Sequence, residues 1–433
     1  MVFNNWTSIL KSPFALSKRS ASKGLIELEN MKTKKPILLI IGTRAEAIKL
    51  IPLYLELKYK NFPVLLCATF QHSEMLQQVC NVFEVVPDFN LNVMKKDQDL
   101  FYLTKIILEQ TKEVYLKVSP SLVVVHGDTT TTMASALSAF YLNIPIAHVE
   151  AGLRTGNMRA PFPEEMNRKV VGQIASLHFS PTSLSTANLL SEGIKRENVF
   201  CTGNTIVDSL KFISQKIDSN KTKIDKKLQN LIVKIKSKNK RIVLLTAHRR
   251  ESFNGGLLRI FSSIKKFAQT HSDVNIIFPV HPNPNVKKSI EESKLEEQKN
   301  IILLGPTNYI EMVYLLNNVE WIVTDSGGLQ EEGVSLGKKV IVLRDVTERM
   351  EGIWEGLVFI SGTDEKLILE NMQKLYDSQN NNQLPSTVYG DGHACKRISK
   401  ILETRLDRDS LEEDLITHIN HQIKYENPIR KNI

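Results

Sequence analysis

The sequence predicts an α/β protein built from two parallel, doubly wound sheets that follow one another along the chain. Three observations predict it. Short apolar runs rich in Val, Ile and Leu recur twelve times. Amphipathic segments of helical length lie between them. The polar residues gather directly after the runs rather than before them. Runs that are apolar at every position suit strands buried on both faces, as in parallel sheets. Their alternation with helical segments gives βαβ units.

In order, the first six strands are expected at "PILLIIG", "PVLLCATF", "SLVVVHGD", "IPIAHVEA", "SLHFSPT" and "NVFCTGN". The second six are "RIVLLTAH", "VNIIFPVHP", "NIILLGPT", "EWIVTDSGG", "KKVIVLRD" and "LVFISGT". Segments such as "MASALSAFYL" and "YIEMVYLLNN" supply helices between them. The rhythm breaks once, over the Lys-rich residues 214–240, whose charge run reads as a solvated helix face. The expected organisation is a basic extension over 1–35, a first domain over 36–213, the Lys-rich linker or helix over 214–240 and a second domain over 241–385. A helix over 386–404 returns to the first domain, and a charged tail occupies 405–433.

A chain of 433 residues is longer than one domain usually holds. The net charge of +9 is concentrated in residues 1–35, which carry seven Lys or Arg and two Glu. With no basic stripe interleaved with aromatics, a nucleic-acid partner is not expected. The four cysteines lie far apart without a CxxC pair, which argues against a zinc site or a disulfide scaffold and for a reducing, cytoplasmic setting. No run approaches the roughly 18 apolar residues of a membrane span. The N-terminal segment lacks the apolar core of a signal peptide and reads as a loosely ordered extension, a targeting or membrane-surface role being the alternative.

Ligands of open α/β sheets bind beyond the carboxyl ends of the strands, and here those ends carry the polar residues. "DSGGLQEEG" ends a strand with Ser326, Gly327 and Gly328 before a helix, a place where backbone N–H groups and the helix dipole receive an anion. Its Glu332 can accept hydrogen bonds from ribose hydroxyls; the alternative reading of the segment is an Asp325 helix cap with a glycine turn. The segment lacks the GK[ST] ending of a Walker A loop, and "GTRAEAIK" is not GxGxxG, so no dinucleotide cofactor is expected. Arg44 and Lys49 stand near the start of the first helix, where either another anion sits or Glu46 simply complements the dipole of a plain helix start. Asp128, at a strand end, either caps the following helix or faces a ligand. His248 and Arg249 end another strand, and His281 a third; such a His suits proton transfer or phosphate contact. In "HVEAGLRTGNMRAPFPEEMNR", Glu150 closes a strand, where burial would raise its pKa toward proton-transfer use. Glu164 and Glu165 follow Pro163 at a helix start, and Glu164 with Arg168 has the spacing of an i,i+4 pair.

Together, "GTRAEAIKLIPL", "VHGDTTTT", "HVEAGLRTGN…PFPEEMNR", "TGNTIVDSL", "TAHRRESF", "PVHPNP" and "TDSGGLQEEGVSLGKKVIVLRDVTERMEG" resemble the non-hydrolysing UDP-N-acetylglucosamine 2-epimerases over residues 36–404. The resemblance implies a GT-B architecture, two Rossmann-like domains with the active site in the cleft between them. It implies inversion at C2 of UDP-GlcNAc to UDP-ManNAc, by anti elimination of UDP and its re-addition to a bound 2-acetamidoglucal, without cofactor or metal. The product would supply surface polysaccharide synthesis, and family members are typically homodimers. By motif, Asp128, Glu150, Glu164 and His248 take the catalytic positions. Arg44, Lys49, Ser326, Gly327, Gly328 and Glu332 take the substrate and UDP positions. Gln71, His72, Arg249 and His281 resemble a second, allosteric UDP-GlcNAc site. Glu165 is left as a helix-terminal charge. The chain departs from the family at Ala45, where Pro is usual, and over Asn157–Ala160. The remaining alternatives are a related UDP-sugar as substrate, and a hydrolysing 2-epimerase that releases ManNAc and UDP.

Overall fold

The computed structural model describes residues 35–70, 73–95, 98–378 and 384–406. The basic extension, Gln71, His72 and the tail beyond 406 therefore lie outside the described residues.

All twelve expected strands form. The first sheet contains β1 (Ile37–Ile41), β2 (Val64–Ala68), β3 (Phe89–Asn90), β4 (Leu122–His126), β5 (Ile146–Val149), β6 (Leu177–Ser180) and β7 (Val199–Cys201), in the order 3-2-1-4-5-6-7. The second contains β8 (Arg241–Thr246), β9 (Val274–Pro279), β10 (Ile301–Leu304), β11 (Trp321–Thr324), β12 (Lys339–Val342) and β13 (Val358–Ile360), in the order 10-9-8-11-12-13. Every pairing is parallel. The strand that sequence reading missed is β3, two residues at a sheet edge with no apolar run to announce it.

The central strands β1 and β4 are buried at every residue, which is why they read as unbroken apolar runs. Helices cover both faces. Five of them carry or frame the cleft: α1 (Arg44–Tyr59), α4 (Thr130–Tyr141), α5 (Glu164–Ile174), α7 (Thr205–Asp218) and α12 (Gly327–Ser335). Numbered with them in chain order are α2 (Ser73–Val82), α3 (Leu100–Val118) and α6 (Ser183–Ser191). The Lys-rich stretch forms α8 (Lys226–Lys236), which buries Leu228, Ile232 and Ile235 and turns its lysines outward. The second sheet adds α9 (Gly256–Thr270), α10 (Pro284–Ser293) and α11 (Tyr309–Asn318). Helix α1 runs through Pro52 without interruption.

Residues 394–406 are helical and lie on the first sheet's side. Ala394 and Cys395 donate backbone N–H groups to Asp208, and Ser399 meets Glu56. Among the described residues, no helix is long and apolar enough to cross a membrane.

Each sheet reverses its winding direction at its centre, between β1 and β4 and between β8 and β11. Crevices form at such switch points. The two crevices face each other, and residues that follow β1, β4, β5, β8, β9, β10, β11 and β12 line one common cavity of about 260 Å³.

Candidate active site

The first wall of the cleft is built around Glu46. It completes a capping box with Thr43 at the start of α1. Its carboxylate also accepts from the Gly42 N–H (3.0 Å), the Thr129 hydroxyl (2.6 Å) and the Thr132 hydroxyl (3.0 Å). This ties the turn after β1 to the turn after β4. Glu46 is therefore more than a dipole charge. Thr129, not Asp128, caps α4 by accepting from the Thr132 N–H. That leaves the Asp128 carboxylate free to face the cleft, where it pairs with Arg168.

Glu150 follows β5 with φ +61°, a left-handed conformation that costs a non-glycine residue ~1–3 kcal/mol. The turn directs its side chain into the cavity, where it is 6% exposed. Lys49 and Asn204 (2.8 Å) both donate to its Oε2, and His126 Nε2 lies 3.7 Å away. Burial works to raise its pKa, as the sequence led one to expect. Lys49 and, after it, Arg349 outweigh burial and hold the carboxyl well below its usual range. The expectation of a raised pKa is thus overturned: the site contains a cation that lies far upstream in the chain. Burial pushes His126 down to about 4 against the pull of Glu150, so the neighbouring imidazole is neutral.

Glu164 begins α5 but does not pair with Arg168. Arg168 turns instead to Glu165 (3.2 Å), Glu348 (3.1 Å) and Asp128. The Oε2 of Glu164 is buried without a hydrogen-bond partner. Burial and, after it, the charge of Asp128 raise its pKa, the opposite of Glu150. Glu165 is fully buried and accepts from the N–H groups of Thr155 and Gly156, both at 3.1 Å. It anchors the loop between the two carboxylates and is not an exposed helix-end charge.

The second wall carries cations and a helix start. Ser326 precedes α12 without a side-chain cap, which leaves the first N–H groups of the helix directed at the cavity. A Cβ on Gly327 would lie 2.6 Å from Arg349 Nη1, so the close approach of that guanidinium requires glycine. Glu332 accepts from the Tyr309 hydroxyl at 2.8 Å, and burial raises its pKa to about 7. Asp325 does not cap the helix. Its Oδ2 accepts from the N–H groups of His248 (2.5 Å) and Arg249 (2.7 Å), and Oδ1 lies 3.2 Å from His248 Nδ1. The His248 ring stacks on His281 with centroids 5.0 Å apart. Arg44, Arg249 and His281 line the same cavity, so the structure gathers every site residue singled out by sequence that lies among the described residues.

Several residues were missed by sequence reading. Lys49 lies 3.2 Å from Glu331 as well as beside Glu150. Arg349 Nε meets Glu331 at 2.7 Å, and its Nη1 meets Glu348 at 2.5 Å. Glu331, Glu348 and Arg349 stand inside the quoted "DSGGLQEEG" and "VTERMEG" segments, but nothing local distinguishes them from helix and loop charges. Among the described residues, no group of three or more His, Cys, Asp or Glu is arranged to hold a metal ion.

Two doubly wound sheets facing one cleft, with acids on one wall and an anion-receiving helix start on the other, define an enzyme of the GT-B class. The family model for UDP-N-acetylglucosamine 2-epimerase matches residues 56–403. The UDP-N-acetylglucosamine 2-epimerase of Campylobacter jejuni is 44% identical over 384 residues, 87% of this chain and 100% of that protein. The enzyme of the same name from Escherichia coli K12 is 44% identical over 373 residues, 85% of this chain and 98% of that one. The crystal structure of UDP-GlcNAc 2-epimerase from Neisseria meningitidis bound to UDP-GlcNAc matches with a TM-score of 0.80 and 39% identity, covering 85% of this chain and 100% of that one. The Methanocaldococcus jannaschii UDP-GlcNAc 2-epimerase in complex with UDP-GlcNAc and UDP matches with a TM-score of 0.74 and 33% identity, covering 85% and 99%. The chain belongs to the UDP-N-acetylglucosamine 2-epimerase family of isomerases.

Proposed function

We propose that this enzyme interconverts UDP-GlcNAc and UDP-ManNAc without net hydrolysis, through elimination and re-addition of UDP. The observation that carries the reading is the opposed electrostatics of two carboxyl groups in one cavity. Glu150 is held ionised by Lys49, and Glu164 is biased toward its protonated form by burial and Asp128. Inversion at a carbon needs a base on one face and an acid on the other.

The C2 hydrogen has no adjacent carbonyl, so its removal must be assisted by departure of the leaving group. Glu150 takes the C2 proton, the C–H electrons form the C1–C2 double bond, and UDP leaves with the C1–O pair. The helix start at Gly327, together with Arg44, Lys49 and His248, receives the charge that develops on the diphosphate. The acetamidoglucal stays bound. A UDP oxygen then re-adds to C1 while Glu164 delivers a proton to the other face of C2; the reverse reaction exchanges the two roles. Asp128, after burial, biases that carboxyl toward its protonated form. Glu332, on the wall that carries α12, accepts hydrogen bonds from the ribose hydroxyls.

The deciding experiment is proton NMR of the enzyme with UDP-GlcNAc in D₂O. Deuterium at C2 of accumulating UDP-ManNAc is the expected result. Unchanged UDP-GlcNAc would remove this substrate, and free ManNAc with UDP as the end products would assign the hydrolysing reaction instead.

A further inference from the structure

Two cations of the first sheet reach across the cleft and end between carboxylates of both sheets. Lys49 lies between Glu150 on its own sheet and Glu331 on the other, 3.2 Å away. Arg168 lies between Asp128 and Glu165 on its own sheet and Glu348 on the other, 3.1 Å away. Arg349 closes the gap between the two second-sheet acids, with contacts of 2.7 Å to Glu331 and 2.5 Å to Glu348. Glu348 also has Arg344 at 3.5 Å. The result is one alternating line of charge from Glu150 to Asp128 that leaves the first sheet, passes through the second and returns. Apart from Asp128, whose side chain is 23% exposed, its members are 6% exposed or less.

We propose that Glu331 and Glu348 position the catalytic carboxylates Glu150 and Asp128 through Lys49 and Arg168, so that the active site is complete only when the two sheets face each other. The inference rests on the epimerase reading above and adds two residues to it. Two physical reasons support it. Lys and Arg side chains each carry ~2 kcal/mol of rotamer entropy, and a partner at the far side of the cleft fixes the end that a first-sheet carboxylate alone leaves free to swing. A second carboxylate on the same cation also weakens that cation's hold on the first. With Glu331 neutral, Lys49 would belong wholly to Glu150 and make it a poorer base. With Glu348 neutral, Arg168 would lose its charged second-sheet partner and with it the anchor that holds its guanidinium beside Asp128. Glu331 does not line the cavity, so its effect passes through Lys49 and Arg349.

The test is Glu331→Gln and Glu348→Gln, each retaining shape and one acceptor oxygen. C2 deuterium exchange, KM for UDP-GlcNAc, UDP affinity by calorimetry and the melting transition are measured for each variant. The expected result is exchange lowered by about tenfold or more, with KM and UDP affinity within about threefold of the parent. Exchange within twofold of the parent, or UDP affinity lost in step with exchange, would overturn the inference. If a Gln variant fails to fold, Glu331→Asp and Glu348→Asp decide: they keep the charge but withdraw it by one methylene. Lowered exchange at unchanged KM supports the positioning role, and parental exchange overturns it. Absence of exchange in the parent enzyme would instead overturn the epimerase reading itself.

Discussion

Replacing Glu150 by Gln isolates the charge of the proposed base from its shape. Its Oε2 accepts from Lys49 and from Asn204 at 2.8 Å, and both are obligate donors in these contacts. The amide must therefore keep its oxygen on that side and turn its NH₂ toward Gly127, which preserves the local geometry. Lys49 loses one of two anionic partners but keeps Glu331 at 3.2 Å. Removing the sole partner of a buried ion costs ~3–5 kcal/mol. With a second partner retained, the loss of stability is about 1–3 kcal/mol, within what a folded domain tolerates. Loss of a proton-transfer group lowers the rate by ~10²–10⁴-fold. The assay is C2 deuterium exchange by NMR beside UDP binding by calorimetry and thermal unfolding. Exchange within about tenfold of the parent, with UDP affinity intact, would show that Glu150 is not the base.

Asp325→Asn should lower kcat by about 10²-fold while altering KM far less, because it keeps an acceptor for the His248 and Arg249 N–H groups but removes the charge beside the His248 ring; steady-state kinetics read this directly. Glu332 has a folded pKa of about 7, above the ordinary carboxyl value, so its contribution to stability is full at low pH and is lost as pH rises through 7. Glu332→Gln should consequently raise stability at pH 8 by an amount on the order of 1–3 kcal/mol, seen as a higher melting temperature, and leave it nearly unchanged at pH 4.5. Burial lowers the pKa of His126 and His178 to about 4 and of His148 to about 3, so unfolding takes up protons below about pH 6.5. Stability should fall as pH drops from 6.5 to 4, by up to ~4 kcal/mol per pH unit for the three together. Denaturant unfolding of His148→Gln should show a shallower dependence.

The framework was legible because its signals are local. A central strand buried on both faces reads as a run of apolar residues, and all twelve expected strands form; β3, two residues at an edge, was not read. Strand-end chemistry was legible for the same reason, since the sheet itself determines which residues reach the cleft. Charge partners were not legible. Glu150 was expected to have a raised pKa because Lys49 lies 101 residues upstream and nothing in the sequence brings them together. Glu164 and Arg168 had the spacing of a helix pair, yet Arg168 pairs with Glu165 at i,i+3 and with two distant acids, one of them 180 residues away. Asp128 and Asp325 both looked like caps. A neighbouring Thr caps in the first case, and in the second two N–H groups from another strand claim the carboxylate. Spacing gives the candidates, and long-range electrostatics chooses among them.

The route of the chain between the two sheets has a mechanical consequence. Helix α7 packs against α1 of the first sheet and against α11 and α12 of the second. The polypeptide leaves for the second sheet after this helix and comes back through residues 384–392, which lie against the turn at its beginning. There Asn204 donates its backbone N–H to the Tyr389 carbonyl at 2.7 Å. At the same point Gly203 (φ +88°) and Gly390 (φ +122°) touch, and a Cβ on Gly390 would lie 3.1 Å from the Gly203 Cα. Outward and return strands of the linkage thus run along one edge, as two leaves of a single spine. Both crossings between the sheets therefore lie beside α7, and a Cβ at Gly203 or Gly390 would push the two crossings apart at that point.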